Sequence, residues 1–285
     1  MRPAPGTVAF TTAAALTLAL ATGAGVVLAM LLLVPGFADP LRTLPDNVWW
    51  FMYRDAPENG SGGAFWRIGA AIVVCLAVLP AAVRARRLQR QSSSSLPVFL
   101  TLFFFTLSVE GLRAASALLY ARDGSIQLSI VCTRTVYWGR IAGLLSLLIA
   151  GLYCIEWRYR RHGILATVVL VTAFAVATAI PVDRTEFLAQ LTWKLGDEQG
   201  IWFVNLIIGL LALATVTSAT WVRHDRRYLW LALGFAFLLA GRELFCFALN
   251  PGPTAGGVAM IAIGGLVCLR TLSALYRPVT EPAPR

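Results

Sequence analysis

Charge is scarce in this sequence. Asp, Glu, Lys and Arg make up 13% of its 285 residues, about half the share usual in soluble domains. Histidine occurs twice, as His162 and His224 in short basic stretches, so bis-His haem ligation across helices is not expected. The five cysteines (Cys75, Cys132, Cys154, Cys246 and Cys268) lie in or at the ends of apolar runs, with no CxxC and no Cys/His cluster. That pattern argues against a zinc site and against a disulfide framework. Walker A, Rossmann, EF-hand and HExxH patterns are missing as well, so no cofactor is expected. The sequence is instead rich in apolar residues, 58% by the AVILMFWYC count, with a mean hydropathy of +0.72. This balance excludes a soluble globular enzyme, a disordered tail and a collagen-like fibre.

Crossing ~30 Å of hydrocarbon takes roughly 20 apolar residues. Eight runs reach that length: 8–34, 64–83, 97–120, 128–154, 164–182, 201–222, 228–249 and 257–276. The expected fold class is an all-α integral membrane protein with eight transmembrane helices. The first run follows Arg2 and resembles a signal peptide, but it is longer than the roughly 7–15 residues of an ordinary h-region and reads as a retained span.

Basic residues alternate between the two sides of these runs. Arg84, Arg86, Arg87 and Arg90 follow the second run, Arg158, Arg160 and Arg161 the fourth, and Arg223, Arg226 and Arg227 the sixth. With Arg2, Arg277 and Arg285 this side holds 13 basic residues. The other side holds six (Arg42, Arg54, Arg67, Arg122, Arg184 and Lys194) against nine acids, a net charge of −3. The positive-inside rule then places both termini in the cytoplasm, in what reads as a bacterial inner membrane. The net charge of +10 is thus a topology signal, and no aromatic interleaving or fold motif points to nucleic acid. The lipid bilayer is the one partner expected outright.

The two halves share a layout. A long outer loop follows span 1 (35–63, with Trp49, Trp50 and Phe51) and span 5 (183–200, with Phe187 and Trp193). The next span opens on Phe65-Trp66 in one half and Trp202-Phe203 in the other, and each ends in an Arg cluster. Late charges follow in Glu110-Gly111-Leu112-Arg113 and in Arg242-Glu243, and the halves close on related tetrapeptides ending at Tyr153 and Tyr276. The expectation is two four-helix repeats, 1–157 and 158–285. An even span number gives them the same orientation, related by an axis along the membrane normal. In the second outer loop, Phe187, Leu188, Leu191 and Leu195 have the spacing of an interfacial helix.

Six ionisable residues fall inside the third, fourth and seventh spans, in the outer half of the bilayer: Glu110, Arg113, Arg134, Arg140, Arg242 and Glu243. At ~1.5 Å per residue, Glu110 lies about 15 Å deep, Arg113, Arg242 and Glu243 about 10 Å, Arg134 about 9 Å and Arg140 about 18 Å. An Arg or Asp at a helix centre costs roughly 2.5–3.5 kcal/mol on insertion scales, so each needs a partner or water. Glu110 and Arg113 are three apart and able to pair. Arg242 and Glu243 are about 100° apart on the helix and call for partners on other helices. Arg140 shares a face with Thr133, Val136 and Tyr137; Arg134 lies near Trp138, with Asn205 as a neighbour at similar depth. Four Arg against two Glu leave a surplus of +2, which points to a cationic site that binds or transports a small anionic solute or a lipid headgroup. The alternative is a sensory or scaffold subunit that contacts another membrane protein and whose ion network is structural. Enzyme activity is not expected, because no nucleophile or metal set accompanies Glu110 or Glu243. Arg270, near the inner end of span 8, snorkels to phosphates.

Weaker signals complete the pattern. Gly23, Gly25, Gly139, Gly143 and Gly241 allow close helix contact. Pro80 is expected to kink span 2, and Gln89–Ser95 to form a flexible loop. Asn59-Gly60-Ser61 is formally a glycosylation acceptor on an outer loop.

Overall fold

A computed structural model describes residues 5–34, 39–42, 44, 63–91, 94–155, 161–188, 190–196, 198–247 and 251–276. Arg2, Trp49, Trp50, Phe51, Arg54, Asn59-Gly60-Ser61, Arg158, Arg160, Arg277 and Arg285 lie outside the described residues. Among the described residues, eight helical spans are long and apolar enough to cross a membrane. They are α1 (Pro5–Leu33), α3 (Gly63–Gln91), α4 joined to α5 (Leu96–Ser108 and Leu112–Ala121), α6 (Ile126–Cys154), α7 (His162–Ala179), α8 (Glu198–Val222), α9 (Arg227–Phe247) and α10 (Pro251–Leu275), with one short extra turn, α2 (Asp39–Arg42). Segments that are apolar all round satisfy their own backbone only as helices, which is why these runs take that form.

Helix α10 begins at Pro251, six residues before the expected 257, and three other spans depart from the sequence expectation. Helix α3 runs through Pro80 to Gln91, so Arg84–Arg90 and the start of the expected Gln89–Ser95 loop are helical. Ala, Arg, Leu and Gln are good helix formers, and Ala85 and Leu88 are buried, so the helix continues past its apolar run. Span 3 is not one helix: a 3-10 turn, Val109–Gly111, separates α4 from α5. Span 5 stops at Ala179, short of 182. Ile180, just before Pro181, adopts φ −68°, ψ 123°, the extended geometry that a following proline imposes.

Helix α6 is the hub, packed on α4, α5, α7 and α8, while α4 also packs on α3, and α9 lies along α10. The α9–α10 pair is closed by glycines seven residues apart on each helix, Gly234 and Gly241 facing Gly257 and Gly264. A Cβ on Gly241 would lie 2.8 Å from the Gly257 carbonyl oxygen, and one on Gly257 2.5 Å from the Phe245 nitrogen. Gly139 and Gly143 let α6 approach the end of α4 and the turn after it, where a Cβ on Gly139 would lie 3.0 Å from Val109 Cβ and one on Gly143 2.6 Å from Thr106 Oγ1. Gly23 and Gly25 have nothing within 4 Å, so they serve no close contact.

The loop after α7 folds as a β-hairpin, not as the expected interfacial helix. Strand β1 (Val182–Leu188) pairs antiparallel with β2 (Thr192–Leu195), Phe187 opposite Trp193. The Leu191 N–H closes the turn on the Leu188 carbonyl at 2.8 Å, and Gly196 N–H bonds Pro181 O at 2.9 Å at the base. Asp183 accepts from the Thr185 hydroxyl and N–H, and these bonds hold its carboxyl below the usual carboxylate range. The hairpin seats inward. Phe187 stacks on Tyr120 of α5 with centroids 4.3 Å apart, and Trp193 Nε1 donates to Ser129 Oγ of α6 at 2.9 Å. Trp193 N–H donates to Thr133 Oγ1, so that hydroxyl serves the hairpin and not Arg140. Leu188, Leu191 and Leu195 are buried. The residues expected to be apolar contacts are therefore the contacts, on a different element.

Candidate functional site

Between the apolar cluster under the hairpin (Ile68, Ala114, Ile130 and Trp193 among its members) and the larger one beyond it (Phe99, Phe103, Leu147 and Phe235 among its members) lies a layer of charged side chains. Its centre is Glu110, 3% exposed, carried by the 3-10 turn between α4 and α5. Arg113 Nε donates to Glu110 Oε2 at 2.6 Å, and Arg140 Nε of α6 donates to Oε1 at 3.0 Å. The Cys246 thiol of α9 also donates to Oε1, at 3.3 Å. One carboxylate thus ties three spans together. Departure from α-geometry in mid-span is a frequent mark of a functional or strained position; here it delivers the carboxylate between α6 and α9.

The other arginine donors go largely to backbone carbonyls. Arg242 Nη1 donates to the Arg140 carbonyl at 2.9 Å, and Arg242 Nη2 to Glu243 Oε1 at 3.1 Å. The adjacent pair does meet, contrary to the expectation from helical angle. Glu243 is partly exposed, its side chain at 37%, so the long Arg242 side chain spans the angular gap near the edge of the network. Arg113 Nη1 donates to the Gln190 carbonyl in the hairpin turn and more weakly, at 3.5 Å, to the Cys246 carbonyl. The Arg140 guanidinium also lies 5.0 Å over the Tyr137 ring, a cation–π contact with a residue of the face expected for it.

Five of the six residues singled out from the sequence therefore join one hydrogen-bonded network: Glu110, Arg113, Arg140, Arg242 and Glu243. Arg134 does not. It is half-buried on the face of α6 that also carries Trp138, and its Nε is buried without a partner. Asn205 is buried, its Oδ1 also without a partner. Arg270 is exposed.

A further arginine was missed. Arg67 of α3 is 3% exposed and donates from Nη1 to the Cys246 carbonyl at 3.2 Å. Counting it with the loop charges overlooks that it falls inside the second apolar run, and that position is the signal that marks it. Cys246 is the penultimate residue of α9, where carbonyls lack intrahelical donors. Arg67 and Arg113 meet that end, and cations there are favoured by the helix dipole.

The network holds Arg67, Arg113, Arg140 and Arg242 against Glu110 and Glu243, a balance of +2. Arg113 Nη2 and Arg242 Nε are buried without hydrogen-bond partners. Leaving a buried donor unsatisfied costs about 1–3 kcal/mol, more for a charged group. No protein-family model, curated protein or solved structure matches the chain.

Proposed function

We propose that this multi-pass membrane protein binds or transports a small anionic solute or an anionic lipid headgroup at the arginine layer beneath the hairpin. In this reading both termini face the cytoplasm of a bacterial cell, and the hairpin and the site face outward. The observation that carries it is the surplus of buried arginine over carboxylate, with two guanidinium nitrogens left over. A network that only fixed helix packing would tend to neutrality, because uncompensated buried charge is costly. An anion between Arg113 and Arg242 would take up the free donors and lower the local charge.

A second reading is favoured by a different observation. Both oxygens of Glu110 are engaged, and most remaining donors end on carbonyls. That pattern suits a structural network in a sensory or scaffold subunit that contacts another membrane protein.

Arg242→Gln separates the two. It removes a cation without stranding Glu110, and Glu243 can turn to solvent. Thermal unfolding of the purified protein in neutral detergent is followed with and without inorganic phosphate. The binding reading expects phosphate to raise the wild-type midpoint, equivalent to about 2.7 kcal/mol at a hundredfold excess over Kd, with Arg242→Gln folded but unresponsive. The structural reading expects no response from the wild type and a lowered midpoint in the variant.

A further inference from the structure

The hairpin turn that meets Arg113 carries orphan groups of its own. Gln190 is 2% exposed and Thr192 1%. Gln190 offers its backbone carbonyl to Arg113 Nη1, so the two residues touch. Yet Gln190 Oε1, Thr192 Oγ1 and Arg113 Nη2 are all buried without partners. The set is chemically mixed: Nη2 only donates, Oε1 only accepts, and a threonine hydroxyl does either. Simple anions such as halides or nitrate satisfy the donor and leave the Gln190 acceptor empty. An oxyanion that also carries a hydroxyl satisfies both.

Resting on the anion-binding reading above, we infer that segment 190–192 with Arg113 recognises a hydroxylated oxyanion: its charged oxygens accept from Arg113 Nη2 and its hydroxyl donates to Gln190 Oε1. Monobasic phosphate and the hydroxylated headgroup of phosphatidylglycerol share that chemistry. Gln190 is then the residue that sets specificity. The turn is locked to do so: Leu191 is fully buried at φ 60°, a left-handed conformation that a non-glycine residue holds only when its surroundings enforce it. Trp193 pins the next position to α6 through Ser129 and Thr133.

The test uses the full chain in neutral detergent, with unfolding midpoints measured against sodium phosphate below its second pKa and against sodium nitrate at equal ionic strength. Phosphate should half-saturate at a concentration at least about tenfold lower than nitrate, the scale of one hydrogen bond to a buried acceptor. Gln190→Leu should erase that preference while keeping a weak response to both anions. Phosphatidylcholine nanodiscs with and without phosphatidylglycerol identify the source. If the lipid headgroup is the ligand, phosphatidylglycerol raises the midpoint and phosphate adds nothing further. If it is the free anion, phosphate acts equally in both discs. Equal responses to nitrate and phosphate would overturn the hydroxyl inference and leave the anion site standing. No response to phosphate, nitrate or phosphatidylglycerol would overturn the anion site itself. The wild-type series decides this even if Gln190→Leu does not fold.

Discussion

At the scale of single residues, the buried layer turns on Glu110. It is the one fully buried carboxylate of the network, and four buried arginines lie around it or one carbonyl away. Taking two ions out of water costs several kcal/mol each, and their attraction repays that only while both are present. Glu110→Gln keeps the shape but leaves Arg113 and Arg140 facing a neutral amide. Breaking a buried pair in this way costs about 3–5 kcal/mol, so this variant should show a strongly lowered unfolding midpoint in detergent. Lys194→Ala gives the contrast. Its 2.6 Å pair with Glu186 is more than 40% exposed on both partners, and such surface pairs contribute about 0–1 kcal/mol; its midpoint should stay near wild type. Equal losses in the two variants would mean that burial does not set the strength of these pairs. The intramembrane carboxylates and most of the arginines were legible in the sequence because a charge in a long apolar run is conspicuous. The Glu110–Arg113 pair and the Tyr137 neighbour of Arg140 were legible too; the other partners were not, because Arg67, Arg113 and Arg242 each turn an Nη1 to a carbonyl, which every residue carries and no sequence pattern marks.

Among the elements, the spans were readable and their interruptions were not. Hydropathy marks where helices run, since only a helix satisfies its backbone alone in lipid. Phe187, Leu188, Leu191 and Leu195 fit a helical face, yet the same residues are buried by a hairpin whose strands fold over α5 and α6. Pro181 ending α7 and the tight turn at Leu188–Leu191 decide for the hairpin, and neither shows in apolar spacing. Glycine content was equally ambiguous: Gly23 and Gly241 look alike in sequence, but only Gly241 sits against a neighbouring backbone. The glycines therefore make a paired prediction. Gly257→Ala places a methyl 2.5 Å from the Phe245 nitrogen. Backbone there cannot step aside without parting α9 from α10, which would also shift Arg242 and Cys246. The variant should express poorly or unfold at a markedly lower temperature. Gly23→Ala meets nothing within 4 Å and replaces a poor helix former by the best one, so it should be neutral or gain up to about 1 kcal/mol. A folded, wild-type-like Gly257→Ala would show that the α9–α10 contact is looser than its geometry requires.

For the whole molecule, the charge layer sits off-centre, in the half that ends in the hairpin, and its meaning depends on which way that half faces. With Arg67 assigned to the buried network, the hairpin side keeps five of its six loop cations (Arg42, Arg54, Arg122, Arg184 and Lys194), against 13 on the other side. Orientation follows the excess of Lys and Arg in short loops, to which acids contribute little, so the hairpin should face outward. The proposed duplication is harder to read from a chain of similar apolar helices. Its two charged spans differ in detail: α4–α5 breaks at Glu110, while α9 continues as one helix through Arg242 and Glu243. Orientation can be tested directly, because all five native cysteines are buried and an added surface thiol reports alone. Arg184→Cys, on the exposed part of β1, should react with a membrane-impermeant maleimide in intact cells. Arg226→Cys, on the turn between α8 and α9, should react only after permeabilisation. The reverse pattern would turn the site towards the cytoplasm. The arginine layer would then meet cytosolic anions and inner-leaflet headgroups, and the choice of ligands for the binding experiments would change with it.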